Sequence, residues 1–227
     1  MLAIIFSKDR AMQLDALLRS MDVYFKDLSL VVVLWKSTTG LHKACYRSLQ
    51  SRRMSHKYFF AEEVDFQKQT EWMVRTADEL VFLVDDDIFY KEVPKFVKLD
   101  YRQTRSLRLG DNVNNKAHFN YTISVDGNIF RREDILPFMQ KIEYKNPNEL
   151  EGRLVPYQPN FHMLTTEQYV VGVPHNKVST NSSCKFTGEY LQDDLAKMFI
   201  EGKRIDIDAM DYSNIRGVHS NIPYKFK

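Results

Sequence analysis

Cysteine is scarce: only Cys45 and Cys184 occur in 227 residues. They stand far apart, with no Cys or His at metal-site spacing, so two reduced thiols are expected rather than a disulfide framework or a zinc site. A charge excess is also missing. The 32 basic and 30 acidic residues leave a formal net charge of +2, and no basic stripe of the kind that tracks phosphate backbones is visible. Arg52, Arg53, Lys57, Arg102, Arg105 and Arg108 are scattered among acids, so no nucleic-acid partner is expected. Long apolar runs are absent too. The run Leu2–Phe6 turns polar at Ser7, too short for a signal peptide or a span, and no later segment approaches spanning length. A cytoplasmic protein is expected, with docking at a membrane periphery left open. Glycine is sparse, 8 residues in all, and none follows the first apolar run where a phosphate loop would sit.

What is present is an ordinary globular balance, 44% hydrophobic and 27% charged, in a chain long enough for one substantial core. Short apolar runs alternate with amphipathic stretches. Leu2–Phe6, Leu30–Trp35, Tyr58–Ala61 and Leu80–Val84 read as strands. Between them, residues 11–25, 41–49 and 66–77 show helical spacing, with Met12, Leu14, Leu17, Leu18, Met21 and Tyr24 marking the first. Asp9 or Ser7 is expected to cap that helix. The strand–helix alternation predicts βαβ units, a mainly parallel sheet and helices on both faces. Continuous apolar strands fit a sheet buried on both sides. In such sheets ligands bind at the carboxyl ends of the strands, where both Ser7–Arg10 and Asp85–Asp87 fall.

The second half is less regular. A short strand is expected over Ser106–Leu109, and 111–119 reads as a loop. Tyr121–Val125 and Asn128–Arg131 flank the turn pair Asp126-Gly127, which predicts a hairpin. Helices are expected over 132–144 and 189–200, a turn at Asn146-Pro147-Asn148 before Glu149–Leu154, a strand over Tyr169–Val173, and a polar loop over 176–188. The tail from Ile205 onward has little pattern.

Three adjacent aspartates after a buried strand repel one another unless a cation or a positive group relieves them. Mg²⁺ and Mn²⁺ favour carboxylate oxygens and leave room for diphosphate oxygens, so Asp85, Asp86 and Asp87 point to a metal site. A solvated acidic turn is the plainer alternative.

Phe82-Leu83-Val84-Asp85-Asp86-Asp87 resembles the Asp-x-Asp signature of GT-A glycosyltransferases, the fold of the family 2 and exostosin-like enzymes. Ile4–Arg10 and Val31–Trp35 resemble the first two strands of that fold, with Lys-Asp-Arg where Tyr-Asn-Arg is usual. Val173–Val178 and the tail with His219 before Pro223 look similar to small bacterial glycosyltransferase-like proteins. The resemblance implies a single GT-A domain of the Rossmann-like, nucleotide-diphospho-sugar transferase type, with a nucleotide-sugar-binding half over 1–110 and an acceptor-side half over 111–227. It implies transfer of a sugar from a nucleotide-diphosphate donor, a UDP-sugar first, to a saccharide or other hydroxyl acceptor, with Mn²⁺ or Mg²⁺. Phe6, Ser7, Arg10, Asp85 and Asp86 would hold the donor. Asp87, Asp85 and His219 would hold the ion, with Asp87 the direct ligand. Asp193, Asp194 or Glu151 would serve the acceptor, and Glu149 is a further acid near it. Tyr121, Tyr157 and Phe161 are candidates for a substrate wall. Inverting and retaining chemistry both stay open. The alternatives are a nucleotidyltransferase, disfavoured by the missing glycine-rich loop, and a GT-A-like binding protein without turnover.

Overall fold

The computed structural model describes residues 1–53, 57–109, 121–165, 167–176, 188, 190–215 and 217–227. Its first half alternates strictly: β1 (Leu2–Lys8), α1 (Ala11–Tyr24), β2 (Leu30–Lys36), α2 (Gly40–Arg52), β3 (Tyr58–Glu62), α3 (Phe66–Val74) and β4 (Glu79–Val84). The second half has β5 (Asp87–Phe89), β6 (Gln103–Ser106), β7 (Asn128–Arg131), α4 (Arg132–Met139), α5 (Pro147–Leu154), β8 (His162–Leu164), β9 (Val170–Gly172) and α6 (Gln192–Ile200).

A seven-stranded sheet runs in the order β3-β2-β1-β4-β7-β6-β8, and β5 pairs β9 in a separate two-stranded sheet. The first four strands are parallel. β7 lies antiparallel to both of its neighbours, and β8 is parallel to β6. The fold is therefore mixed α/β with a mainly parallel central sheet flanked by helices. Its strands are apolar without interruption because successive residues feed two different cores. Ala3, Ile5, Val31, Val33, Val81 and Leu83 pack with residues of α1, α2 and α6. Leu2, Ile4, Phe6, Val32, Leu34, Leu80 and Phe82 pack with residues of α3, α4 and α5.

Local chemistry sets the element ends. Thr39, Asp65 and Asn146 each accept a backbone amide at a helix start, of α2, α3 and α5 respectively, satisfying donors that have no partner within the helix. α1 departs from expectation. Its N-cap is Arg10, with no side-chain cap, because Asp9 and Ser7 are engaged elsewhere.

Other differences lie in the second half. The expected hairpin is absent: β7 pairs with β6 and β4, and Tyr121–Val125 is not a strand. The turn itself is real, since Gly127 has φ +81° and its amide bonds Phe82 O at 2.8 Å. Its first flank is instead drawn away by Glu151, which accepts the Val125 amide at 2.8 Å and the Tyr121 hydroxyl at 2.8 Å. β6 ends where a strand over Ser106–Leu109 was expected to begin. The helix expected over 132–144 ends at Met139, shortly after Pro137, and that expected over 66–77 ends at Val74. The loops expected over 111–119 and most of 176–188, with Cys184 and Glu189, lie outside the described residues. Among the described residues no helix is long and apolar enough to cross a membrane.

Candidate functional site

β1 and β4 are parallel neighbours with Phe6 opposite Val84, so Ser7–Arg10 and Asp85–Asp87 leave the sheet side by side. Strand order also reverses there. From β1 the chain steps through β2 to β3 on one side, and β4 lies on the other. A crevice opens at such a reversal because the connections on its two sides lead away from one another.

A strained turn shapes the first wall. Asp9 has φ +55°, a left-handed conformation rare for a residue with a Cβ. Its amide bonds Lys36 O at 3.1 Å, and its carboxylate accepts the Thr38 amide and hydroxyl, both at 2.8 Å. The turn delivers Arg10 onto the acids. Arg10 Nη1 donates to Asp85 Oδ1 at 3.0 Å and Asp86 Oδ2 at 2.9 Å. Arg10 Nε donates to Asn176 Oδ1 at 2.7 Å, and Nη2 donates to the Asn176 carbonyl. Burial works against this guanidinium's charge, but Asp86 and Asp85 outweigh it and raise its pKa.

Asp85 is fully engaged. Its Oδ2 accepts the Ser7 hydroxyl at 2.9 Å and the Lys8 amide at 3.0 Å, while Oδ1 faces Arg10. The Ser7 and Tyr46 hydroxyls are 2.6 Å apart. Because the Ser7 proton goes to Asp85, Tyr46 donates to Ser7, and it accepts the Arg10 amide at 3.1 Å. Burial pushes Asp85 up to about 6 against the lowering pull of Arg10, with Asp86 adding to the rise. Of the paired acids here, Asp86 is the less enclosed, with its side chain 11% exposed against 5% for Asp85.

Asp87 lies deeper. It opens β5 with no exposed surface. Oδ2 accepts the Val84 amide at 3.1 Å, and Oδ1 is buried with no partner. Burial pushes it up to about 7, opposed by Arg108. Arg108 is itself buried; its Nη1 pairs with Asp126 and its Nη2 donates to Val218 O. Burial lowers its pKa, and Asp87 and Asp86 act against that lowering. His219 arrives on the tail. Asp87 pairs with Gly172, and Gly172 bridges to His219, so Asp87 and His219 flank one glycine. The His219 Nε2 is 3.8 Å from Asp126 Oδ2.

The remaining expected residues divide. Phe6 is packed between Phe66 and Phe82, so its side chain belongs to the core. Glu151 holds the 121–125 segment through Tyr121, Ser124 and Val125. Asp193 and Asp194 sit on the first turn of α6, where acids suit the helix dipole. Asp193 contacts His42 at 3.1 Å, and Asp194 lies 3.7 Å from Lys197; neither is hydrogen-bonded to the aspartate triplet. Glu149 belongs to the cap of α5, bonding Lys145 and Asn146. Phe161 is largely buried beside Phe138 and lines a cavity with Thr122, Gln158 and Met163, away from the aspartate triplet. Tyr157 packs on the Phe138 ring, and Tyr121 is tied to Glu151. Among the described residues, no three His, Cys, Asp or Glu side chains are grouped so as to hold a metal. Asp85, Asp87 and His219 thus do not form a closed trio, because Asp85 is turned to Arg10.

Residue patterns alone missed Tyr46, Asn176, Asp126 and Tyr224, and placed Arg108 only among scattered basic residues. Tyr224 is buried, donates to Val173 O at 2.9 Å, and its phenol is pushed up by burial and by Asp86. Asp126 was legible only as half of a turn pair, and the role of each is set by partners distant in sequence.

No protein-family model matches the chain, and no curated protein matches it. Among solved structures, it is similar to the crystal structure of an active-site mutant of LgtC, at 9% identity over 72% of each chain with a TM-score of 0.46. What the chain does must be read from its own residues.

Proposed function

We propose that this chain is a glycosyltransferase that takes a nucleotide-diphosphate sugar, a UDP-sugar first, and passes the sugar to a saccharide or other hydroxyl acceptor. The observation that carries this reading is the meeting of Ser7–Arg10 with Asp85–Asp87 at the point where strand order reverses between β1 and β4. Ligands favour the carboxyl ends of strands at such a reversal, and here a buried guanidinium and a set of carboxylates meet there. Residues 1–110 supply the donor side and residues 111–227 the acceptor side.

The residues present fit a divalent ion, Mn²⁺ or Mg²⁺, on two grounds. Asp87 Oδ1 is a buried acceptor without a partner. Gly172 pairs with Asp87 on one side and bridges to His219 on the other, and its missing Cβ leaves room for the His219 ring and the Arg108 guanidinium, each 2.8 Å from where that Cβ would stand. Such ions are commonly held by one or two side chains, with substrate oxygens completing the shell. Asp87 and His219 would hold it, with Asp86 beside them. When bound, the ion neutralises charge on the departing diphosphate.

The chain's own groups do the rest. Asp85 Oδ1 and Asp86 Oδ2 hold Arg10 in place, and Arg10 keeps a fixed positive charge at the phosphate side of the site. Ser7 and the β1 backbone border the nucleoside. Glu151 is committed to three donors, so activation of the acceptor hydroxyl falls to Asp193 or Asp194.

A panel of nucleotide-sugars with Mn²⁺ tests the reading through release of nucleoside diphosphate. Hydrolysis or transfer of at least one donor, abolished in Asp87→Asn, supports it. The lock of Arg10 on Asp85 and Asp86 favours a second reading, a nucleotide- or sugar-binding module without turnover. Binding without any release of diphosphate would select that one.

A further inference from the structure

Arg108 is buried at 4% exposure, and a buried guanidinium is costly unless its charge and donors are used. Its contacts come from three segments distant in sequence. Nη1 pairs with Asp126 in the turn before β7, and Nη2 donates to Val218 O on the tail. Its charge is felt by Asp87 at the head of β5. The space for the side chain is supplied by glycines. A Cβ on Gly127 would meet Arg108 Cγ at 2.6 Å and Cδ at 2.7 Å, and one on Gly172 would meet Nη2 at 2.8 Å. The two glycines thus form a channel through which Arg108 reaches the tail. The tail then continues along β9, with the Gly172 amide bonded to Val218 O at 3.0 Å and the Ser220 amide to Gly172 O at 2.9 Å.

We infer that Arg108 is a positioning residue that docks the tail segment 218–220 against β9 and thereby brings His219 to the side of Asp87. Val218 O is shared by the Arg108 guanidinium and the Gly172 amide, so one carbonyl fixes both the pairing of the tail and its register. Asp126 anchors the opposite side of the same guanidinium and lies 3.8 Å from His219. A register slip of one residue would turn His219 to the other side of the pairing. Lysine cannot reproduce this, because an ammonium lacks the planar fork that reaches Asp126 and Val218 at once. The docking itself stands on contacts within the chain; its consequence for a divalent ion rests on the function proposed above.

The test uses the full chain and the variant Arg108→Lys, which keeps the charge. Amide hydrogen exchange is followed at Ser220 and Gly172, with β1 and β2 as internal references. Exchange at Ser220 and Gly172 should rise about tenfold or more while β1 and β2 stay protected. Unchanged exchange at Ser220 in a folded Arg108→Lys protein overturns the inference. If that variant does not fold, Asp126→Ala frees the same guanidinium from its anchor, and the same two outcomes decide. Titration of UDP with Mn²⁺ adds the second readout. Arg108→Lys should weaken the Mn²⁺-dependent part of binding about 10–100-fold. Loosened tail amides, with no Mn²⁺-dependent binding even in the unmodified protein, would sink the proposed function and leave the docking role standing.

Discussion

Arg10 and Arg108 are two buried guanidiniums set against the same aspartates, and they are built in different ways. Arg10 follows directly from β1, and its acids follow directly from the adjacent strand β4. Arg108 stands beyond β6 and reaches a turn, a strand and the tail. The first arrangement needs only two parallel strands in register. The second needs the antiparallel half of the sheet and the tail to be in place together. A site can therefore have one wall written into local sequence and another that exists only after assembly.

Four outcomes break or sharpen that contrast. The largest effect is expected from removing either cation. Arg10→Met leaves Asp85 Oδ1 and Asp86 Oδ2 without their shared cation and should cost about 3–5 kcal/mol in urea unfolding, as for other broken buried pairs. Arg108→Met should cost less, because Arg108 pairs directly with one carboxylate, Asp126, whereas Arg10 pairs with two. A larger loss at Arg108 would reverse the ranking of the two walls. Next comes Gly127→Ala. It combines a left-handed φ with a clash on Arg108 and should destabilise by about 1–3 kcal/mol, whereas Gly40→Ala, open on all sides, serves as the neutral control.

On the Arg10 wall, Tyr46→Phe keeps the stack on Trp35 but leaves the Arg10 amide and the Ser7 hydroxyl short of a partner. A loss of about 1–3 kcal/mol is expected by thermal or urea unfolding. No measurable change would show that the hydroxyl chain is not part of the wall.

The fourth outcome is the direction of a pH slope. Asp85 and Asp87 rise from 3.8 to about 6 and about 7 on folding. Between those values the folded chain holds protons that the unfolded chain has released. Stability from these two groups should therefore fall as pH rises from about 4 to about 7. Melting temperatures in chelator across that range should show the decline, and Asp87→Asn should flatten its upper part. A slope unchanged in Asp87→Asn would place the titrating group elsewhere.

The same contrast explains how much was legible. The four parallel strands and their helices could be read from sequence because continuous apolar runs and helical spacing are properties of consecutive residues. That carried the first wall, Ser7, Arg10 and Asp85–Asp87, to one edge of the sheet. It misjudged Asp9, read as a helix cap, because its left-handed turn is held by Thr38 on a different strand connection. The Asp126-Gly127 turn was legible, yet the hairpin around it was not, since Glu151 from α5 decides where Tyr121–Val125 goes. Tyr46, Asn176 and Tyr224 carry no pattern of their own. They matter because the fold buries a hydroxyl or an amide beside Arg10 and its acids.

The central claim is a donor site at Asp85–Asp87, and calorimetric titration of UDP with and without Mn²⁺ tests it most directly. In the unmodified chain, Mn²⁺ should tighten binding about tenfold or more, and Asp87→Asn should remove that gain. Absence of UDP binding in both conditions, or an undiminished Mn²⁺ effect in Asp87→Asn, would contradict the account.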